Sequence, residues 1–192
     1  MLDQGLDDPA FILLLADALK PRRGETLPDL RARFDSTVAR TPRGAEAMLL
    51  LDQHDQIRAN RYRNFRWRTC ALPLAQIRVW PGMEGLPGSW CERSVEETAW
   101  FVKTAGGPVA GSRLSRMLGL RSKIGMTELV EWLTCLPLPV LPDHLLHRRP
   151  PCPGAPWALD DGCARAVTLS LLGVSSVAVI LGEPLDGLGV DG

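Results

Sequence analysis

Residues 136–156 read LPLPVLPDHLLHRRPPCPGAP, with prolines at 137, 139, 142, 150, 151, 153 and 156. Each proline fixes its own φ and withholds a backbone N–H, so neither a helix nor a sheet ladder passes through such a run unbroken. The density of prolines predicts an extended, polyproline-like loop, with room for a single helical turn at 142–147. Taken as a loop, the stretch leaves the fold to the helices on either side of it.

Those helices are announced by their caps. Asp8 precedes Pro9 and opens a helix over 9–19, which Pro21 stops. Thr26-Leu27-Pro28-Asp29 opens a second helix to about residue 40, with Leu27, Leu30, Phe34 and Val38 on one stripe. A third is expected over 43–60. Ser94-Val95-Glu96-Glu97 is a capping box, and the helix behind it is expected to carry Trp100, Phe101 and Ala105 inward before Gly106-Gly107-Pro108 ends it. The next helix, 109–118, closes at Gly119, and Thr127 or Gly125 begins another bearing Leu129, Val130, Trp132 and Leu133. A last helix covers 160–172, and 174–181 either continues it or forms a strand. Residues 61–88 lose helical periodicity: 65–79 reads as a short hairpin or an irregular connection, followed by the turn signals Trp80-Pro81-Gly82 and Leu86-Pro87-Gly88. The expected fold is therefore mainly α. It is a single helical domain over 1–192, with an irregular or short-β connection near 65–90, a proline-rich loop at 136–156, an internal sub-boundary at 80–92 and a frayed tail at 183–192.

Charge narrows the function. The 22 basic and 22 acidic residues cancel, so the whole-chain field favours neither nucleic acid nor an anionic membrane. The five cysteines, Cys70, Cys91, Cys135, Cys152 and Cys163, form no CxxC pair. The apolar run at 10–16 is too short to span a bilayer and is preceded by acidic residues, unlike a secretory leader. A soluble, reduced, cytoplasmic protein is expected.

No catalytic group stands out. His144 and His147, with Cys152 and Asp160, fall in or beside the proline-rich loop without a firm ligand spacing, and read as an exposed pair rather than a metal site. Cys163 falls on the expected buried face of its helix, where a small apolar role outweighs a nucleophilic one. Gly106-Gly107-Pro108 follows no β-run and lacks the lysine of a phosphate loop. Neither catalysis, nor a metal, nor a cofactor is expected.

Two segments carry chemistry of another kind. Arg58, Arg61, Arg63, Arg66 and Arg68 alternate with Tyr62, Phe65 and Trp67. Arginine with aromatics serves single-stranded nucleic acid and protein interfaces alike. The neutral chain favours a protein contact or a solvated edge, and these eight residues are the candidate interface. Residues 109–133 have the outline of a helix-turn-helix. Their second helix, however, offers Glu128 and Glu131 and no base-reading side chain, so a DNA-binding regulator stands as the alternative.

Residues 94–181 resemble the SctK (OrgA/MxiK-type) accessory proteins of type III secretion, which include the rhizobial nodulation form NolU. A helix ends in small residues and glycine at 103–107. Val109, Arg113 and Leu114 then precede Leu118-Gly119, and after a further helix and the proline-rich stretch comes a small-residue helix at 162–172. The resemblance implies a non-enzymatic cytoplasmic adaptor, active in nodulation or virulence, that links the inner-membrane ring to the cytosolic pod protein of the sorting platform. It implies no catalytic residue, no cofactor and no insertion into the membrane.

Overall fold

The computed structural model describes residues 8–16, 20, 22, 25–80, 86, 90, 92–146 and 152–185. Its order is α1 (Pro9–Ala16), α2 (Leu27–Arg40), α3 (Ala45–His54), α4 (Gln56–Tyr62), β1 (Phe65–Pro73), a 3-10 turn (Leu74–Gln76) and β2 (Ile77–Arg78). Then follow α5 (Val95–Thr104), α6 (Arg113–Ile124), α7 (Met126–Thr134), β3 (Leu138–Pro142), α8 (Asp143–Leu146), β4 (Trp157–Leu159), α9 (Cys163–Leu171) and β5 (Ser176–Pro184).

The expectation of a mainly α fold is overturned. The five strands form one mixed sheet in the order β1-β5-β3-β4-β2, and helices pack around it, so the fold is α/β. The connection expected near 65–90 is β1, the 3-10 turn and β2. The loop expected at 136–156 contains β3, all five residues of which are buried. β5 runs antiparallel to β1 and parallel to β3, while β4 runs antiparallel to β3 and parallel to β2. Strands from before and after the proposed sub-boundary at 80–92 thus share one sheet. Residues 186–192 of the expected frayed tail lie outside the described residues.

Proline enters a sheet interior only if its missing donor is compensated. The β3–β4 register pairs Val140 with Leu159, which brings Pro139 level with Asp160. Asp160 N donates to Pro139 O at 3.0 Å. The reciprocal bond is impossible because Pro139 has no N–H, and Arg58 Nη2 donates to Asp160 O at 3.0 Å in its place. A guanidinium from α4 thereby supplies the donor that the strand lacks.

Local chemistry fixes the helices. Thr26 with Asp29, and Ser94 with Glu97, complete capping boxes. Asp55 divides the single helix expected over 43–60: its backbone leaves the α region, its N–H closes α3 on Leu51 O, and its carboxylate accepts from Arg58 N to start α4. Gly119 does not end a helix, because α6 runs from the Ser112 cap through Gly119 to Ile124. The turn falls at Gly125, whose φ of 83° suits glycine.

The helices gather in two groups. α5, α6 and α7 pack on α9, and α1 packs on α2, α3 and α4 and also reaches β3. The groups meet where Phe34 of α2 stands edge-on to Trp132 of α7, with ring centroids 5.0 Å apart, beside an Arg31–Glu128 pair at 3.0 Å. A fully buried pair, Arg78 and Asp143 at 3.0 Å, ties β2 to α8.

Candidate protein interface

The Arg-aromatic segment begins on α4, and its first half turns inward. Asp160, whose side chain has no exposed surface, receives Arg58 Nε on Oδ2 at 2.9 Å and the Arg61 guanidinium on Oδ1. Tyr62 donates its hydroxyl to the same carboxylate at 2.6 Å. Burial first, then the Asp160 charge, pushes the Tyr62 phenol well above its ordinary range, so it stays a donor. A single buried carboxylate thus collects two guanidiniums and a phenol, which makes this a structural tie between α4 and the β4–α9 turn. The spacing of the arginines gave no hint of their acceptor, which lies about a hundred residues away in sequence.

The second half lies on β1. Phe65 and Trp67 are half-buried: Trp67 tilts on Tyr62 with centroids 4.7 Å apart, sits 6.0 Å from Phe65, and donates Nε1 to Tyr62 O. Arg63, Arg66 and Arg68 are exposed. Arg63 reaches Asp52 at 3.2 Å, and Arg68 crosses the ladder to Glu183 at 2.7 Å. Arg66 has no such partner among the described residues. Of the eight predicted interface residues, Arg63, Arg66 and Arg68 present charge to solvent, Phe65 and Trp67 shape the strand, and Arg58, Arg61 and Tyr62 are spent on Asp160.

A second surface was not foreseen. Trp100, expected to face inward, is 59% exposed on α5. It meets Phe101 edge-on at 5.0 Å; Phe101 in turn stacks on Trp90 at 5.7 Å and lies beneath the Arg93 guanidinium. A cleft of about 400 Å³ runs along Arg93, Glu96, Glu97, Trp100 and Phe101. On the other side of Trp100 a cleft of about 270 Å³ reaches the α9–β5 turn at Gly173, Val174 and Ser175. The signal available in the sequence was the i, i+4, i+7 spacing of Val95, Ala99 and Val102, which lines the buried side of α5 and leaves Trp100 off it.

The remaining candidates fall apart. Cys163 is half-buried and accepts a bond from Trp80 N at 3.4 Å. His144 is exposed, His147 and Cys91 lie outside the described residues, and no metal-binding group of His, Cys, Asp or Glu occurs among the described residues. Trp80 is exposed, whereas Trp90 is half-buried against Phe101. No described helix is long and apolar enough to cross a membrane.

Comparison of the chain with protein-family models, with curated proteins and with solved structures returns no match.

Proposed function

We propose that this chain is a non-enzymatic protein-docking adaptor that bridges two partners, as the resemblance to the SctK accessory proteins suggests. In that role it links the inner-membrane ring of a type III secretion machine to the cytosolic pod protein, working in the cytoplasm beside the membrane through protein contacts alone.

The observation that carries the proposal is the presence of two separate exposed surfaces, one rich in arginine and one built around a tryptophan. Arg63, Arg66 and Arg68 give a basic surface at the start of β1. Glu96, Glu97 and Trp100, with Arg93 and Lys103 beside them, give an aromatic surface of mixed charge on α5. The α5 clefts extend to Ser175, and Leu74, just past the end of β1, donates to Ser175 O. The basic end of β1 is therefore several residues away along the strand, roughly 20 Å at the rise of an extended chain. Arginine and tryptophan are the side chains that anchor protein contacts best. Docking α2 against α7 through Trp132 and Glu128 engages part of the helix that the DNA-binding alternative would need for the groove, so nothing in the geometry favours that alternative.

Purified chain should capture the cytosolic domain of the ring protein and the pod protein separately. Arg63→Glu with Arg66→Glu should lose one of them and Trp100→Ala the other, with circular dichroism unchanged. Capture of neither partner by the wild type would remove the proposal.

A further inference from the structure

Three exposed side chains stand in line along α5. Glu96, Trp100 and Lys103 follow the i, i+4, i+7 spacing that sets residues on one helical face. The buried side chains Val95, Thr98, Ala99 and Val102 lie to one side of that line. Trp100 rises between two clefts with 59% of its surface exposed. Glu96 and Lys103 stand about 10 Å apart along the axis. Neither makes an ion pair or a side-chain hydrogen bond among the described residues. The helix dipole accounts for an acid in the first turn and a base in the last, but not for an indole left in water between them.

We infer that α5 pairs with α5 of a second copy of this chain, antiparallel across a two-fold axis, with Trp100 against Trp100 at the centre. The midpoint between Glu96 and Lys103 falls between Ala99 and Trp100. A two-fold axis there brings Glu96 of each copy opposite Lys103 of the other. It also carries the two indoles to the same side of the helix pair, where they meet. A contact of this symmetry is made by one surface with itself, so each charge must find its opposite on that same surface. The stripe on α5 meets this condition. Parallel pairing would set Glu96 beside Glu96 and Lys103 beside Lys103, and the repulsion excludes it. The charges also select the occupant: another partner would need a base, an apolar group and an acid at matching intervals, and this chain already carries them. The ten residues of α5 give a contact smaller than a stable interface requires, so the dimer is weak and depends on concentration. A tryptophan at the centre of such a contact carries much of its energy. The inference stands without the adaptor proposal and adds to it. The second copy covers the surface that the adaptor gives to one of its partners, so the two compete for Trp100.

The test is sedimentation equilibrium of the full chain at concentrations up to about 1 mM, where the wild type should dimerise reversibly. Glu96→Lys and Lys103→Glu each leave Trp100 in place and set like charges together, so each variant alone should stay monomeric. An equimolar mixture of the two should regain the dimer, because the all-basic stripe of one variant then faces the all-acidic stripe of the other. That recovery also shows that both variants are folded. Trp100→Ala should raise the dissociation constant by at least about tenfold, with circular dichroism unchanged. A wild type that is monomeric throughout, single variants as dimeric as the wild type, or a mixture that stays monomeric would overturn the inference. The two proposals fail separately. Dimerisation as described without capture of the ring or pod protein would sink the adaptor assignment alone, and capture by a chain that stays monomeric would sink the helix pairing alone.

Discussion

Trp67 lays its indole against Gly182, its partner across the β1–β5 ladder: a Cβ on Gly182 would stand 3.0 Å from Trp67 Cη2 and 2.5 Å from Leu141 Cδ2. The glycine is needed for this close approach of two strands and a ring. Gly182→Ala should therefore overpack the sheet and cost about 1–3 kcal/mol. Urea unfolding checks it, and an unchanged midpoint would mean that the indole and Leu141 simply move aside.

Asp160 should be among the most costly single residues to remove. Asp160→Ala leaves Arg58 and Arg61 without their shared carboxylate and Tyr62 with a buried hydroxyl lacking its acceptor. The expected loss is about 3–5 kcal/mol. Arg61→Ala should cost less, because Arg58 still holds the carboxylate. Equal stability of Asp160→Ala and wild type in denaturant would contradict the tie.

The two glycines of the α6–α7 segment should respond with opposite signs. Gly119 lies inside α6, and a Cβ there would meet nothing within 4 Å. Gly119→Ala should stabilise the chain by about 0.5–1 kcal/mol. Gly125 has a φ of 83°, and Gly125→Ala should destabilise it by about 1–2 kcal/mol. Thermal melts of the two variants separate the observed α6 from a helix that stops at Gly119.

Stability should fall in alkali. Burial pushes the Cys135 thiol from 9.0 up to about 11, and burial followed by the Asp160 charge pushes the Tyr62 phenol well above 10.0. Both groups keep their proton in the folded state at a pH where the unfolded chain has lost it. Their contribution is complete below pH 9.0 and declines as pH rises through the folded values. Cys135→Ala should flatten the first part of that decline, measured as the denaturant midpoint between pH 9.0 and about 11. A midpoint that rises over this interval would reverse the assignment.

What the sequence disclosed followed the range of the interactions. Thr26 and Ser94 act on groups three residues away, and both capping boxes stand where their residues indicate. Thr127 does not cap α7; Gly125 occupies that place without a side-chain bond. β3 was hidden because its prolines break the ladder rule, and the remedy at Pro139 comes from Arg58 on another helix. The alternation of β1 was obscured as well. Phe65 and Trp67 are covered on one face, Cys70 and Leu72 on the other, so no single period-two pattern runs its length. For the candidate interface, arginines and aromatics singled out a segment but not its division, since which guanidiniums turn inward depends on the distant Asp160.

The bond from Arg58 to Asp160 also sets an order of events as the chain leaves the ribosome. The two residues are 102 positions apart, and Pro139 must be in place beside Asp160 for the bond to have its purpose. α4 can coil as soon as it emerges, yet its Arg58 guanidinium must wait in water until 102 further residues have been made. β1 waits longer still, because β5 is the last of the described strands to be made. Contacts so distant in sequence make final closure slow. Until β5 arrives, the edge of β1 that it will cover lies unpaired, and that interval is the period in which this strand is most exposed to mispairing.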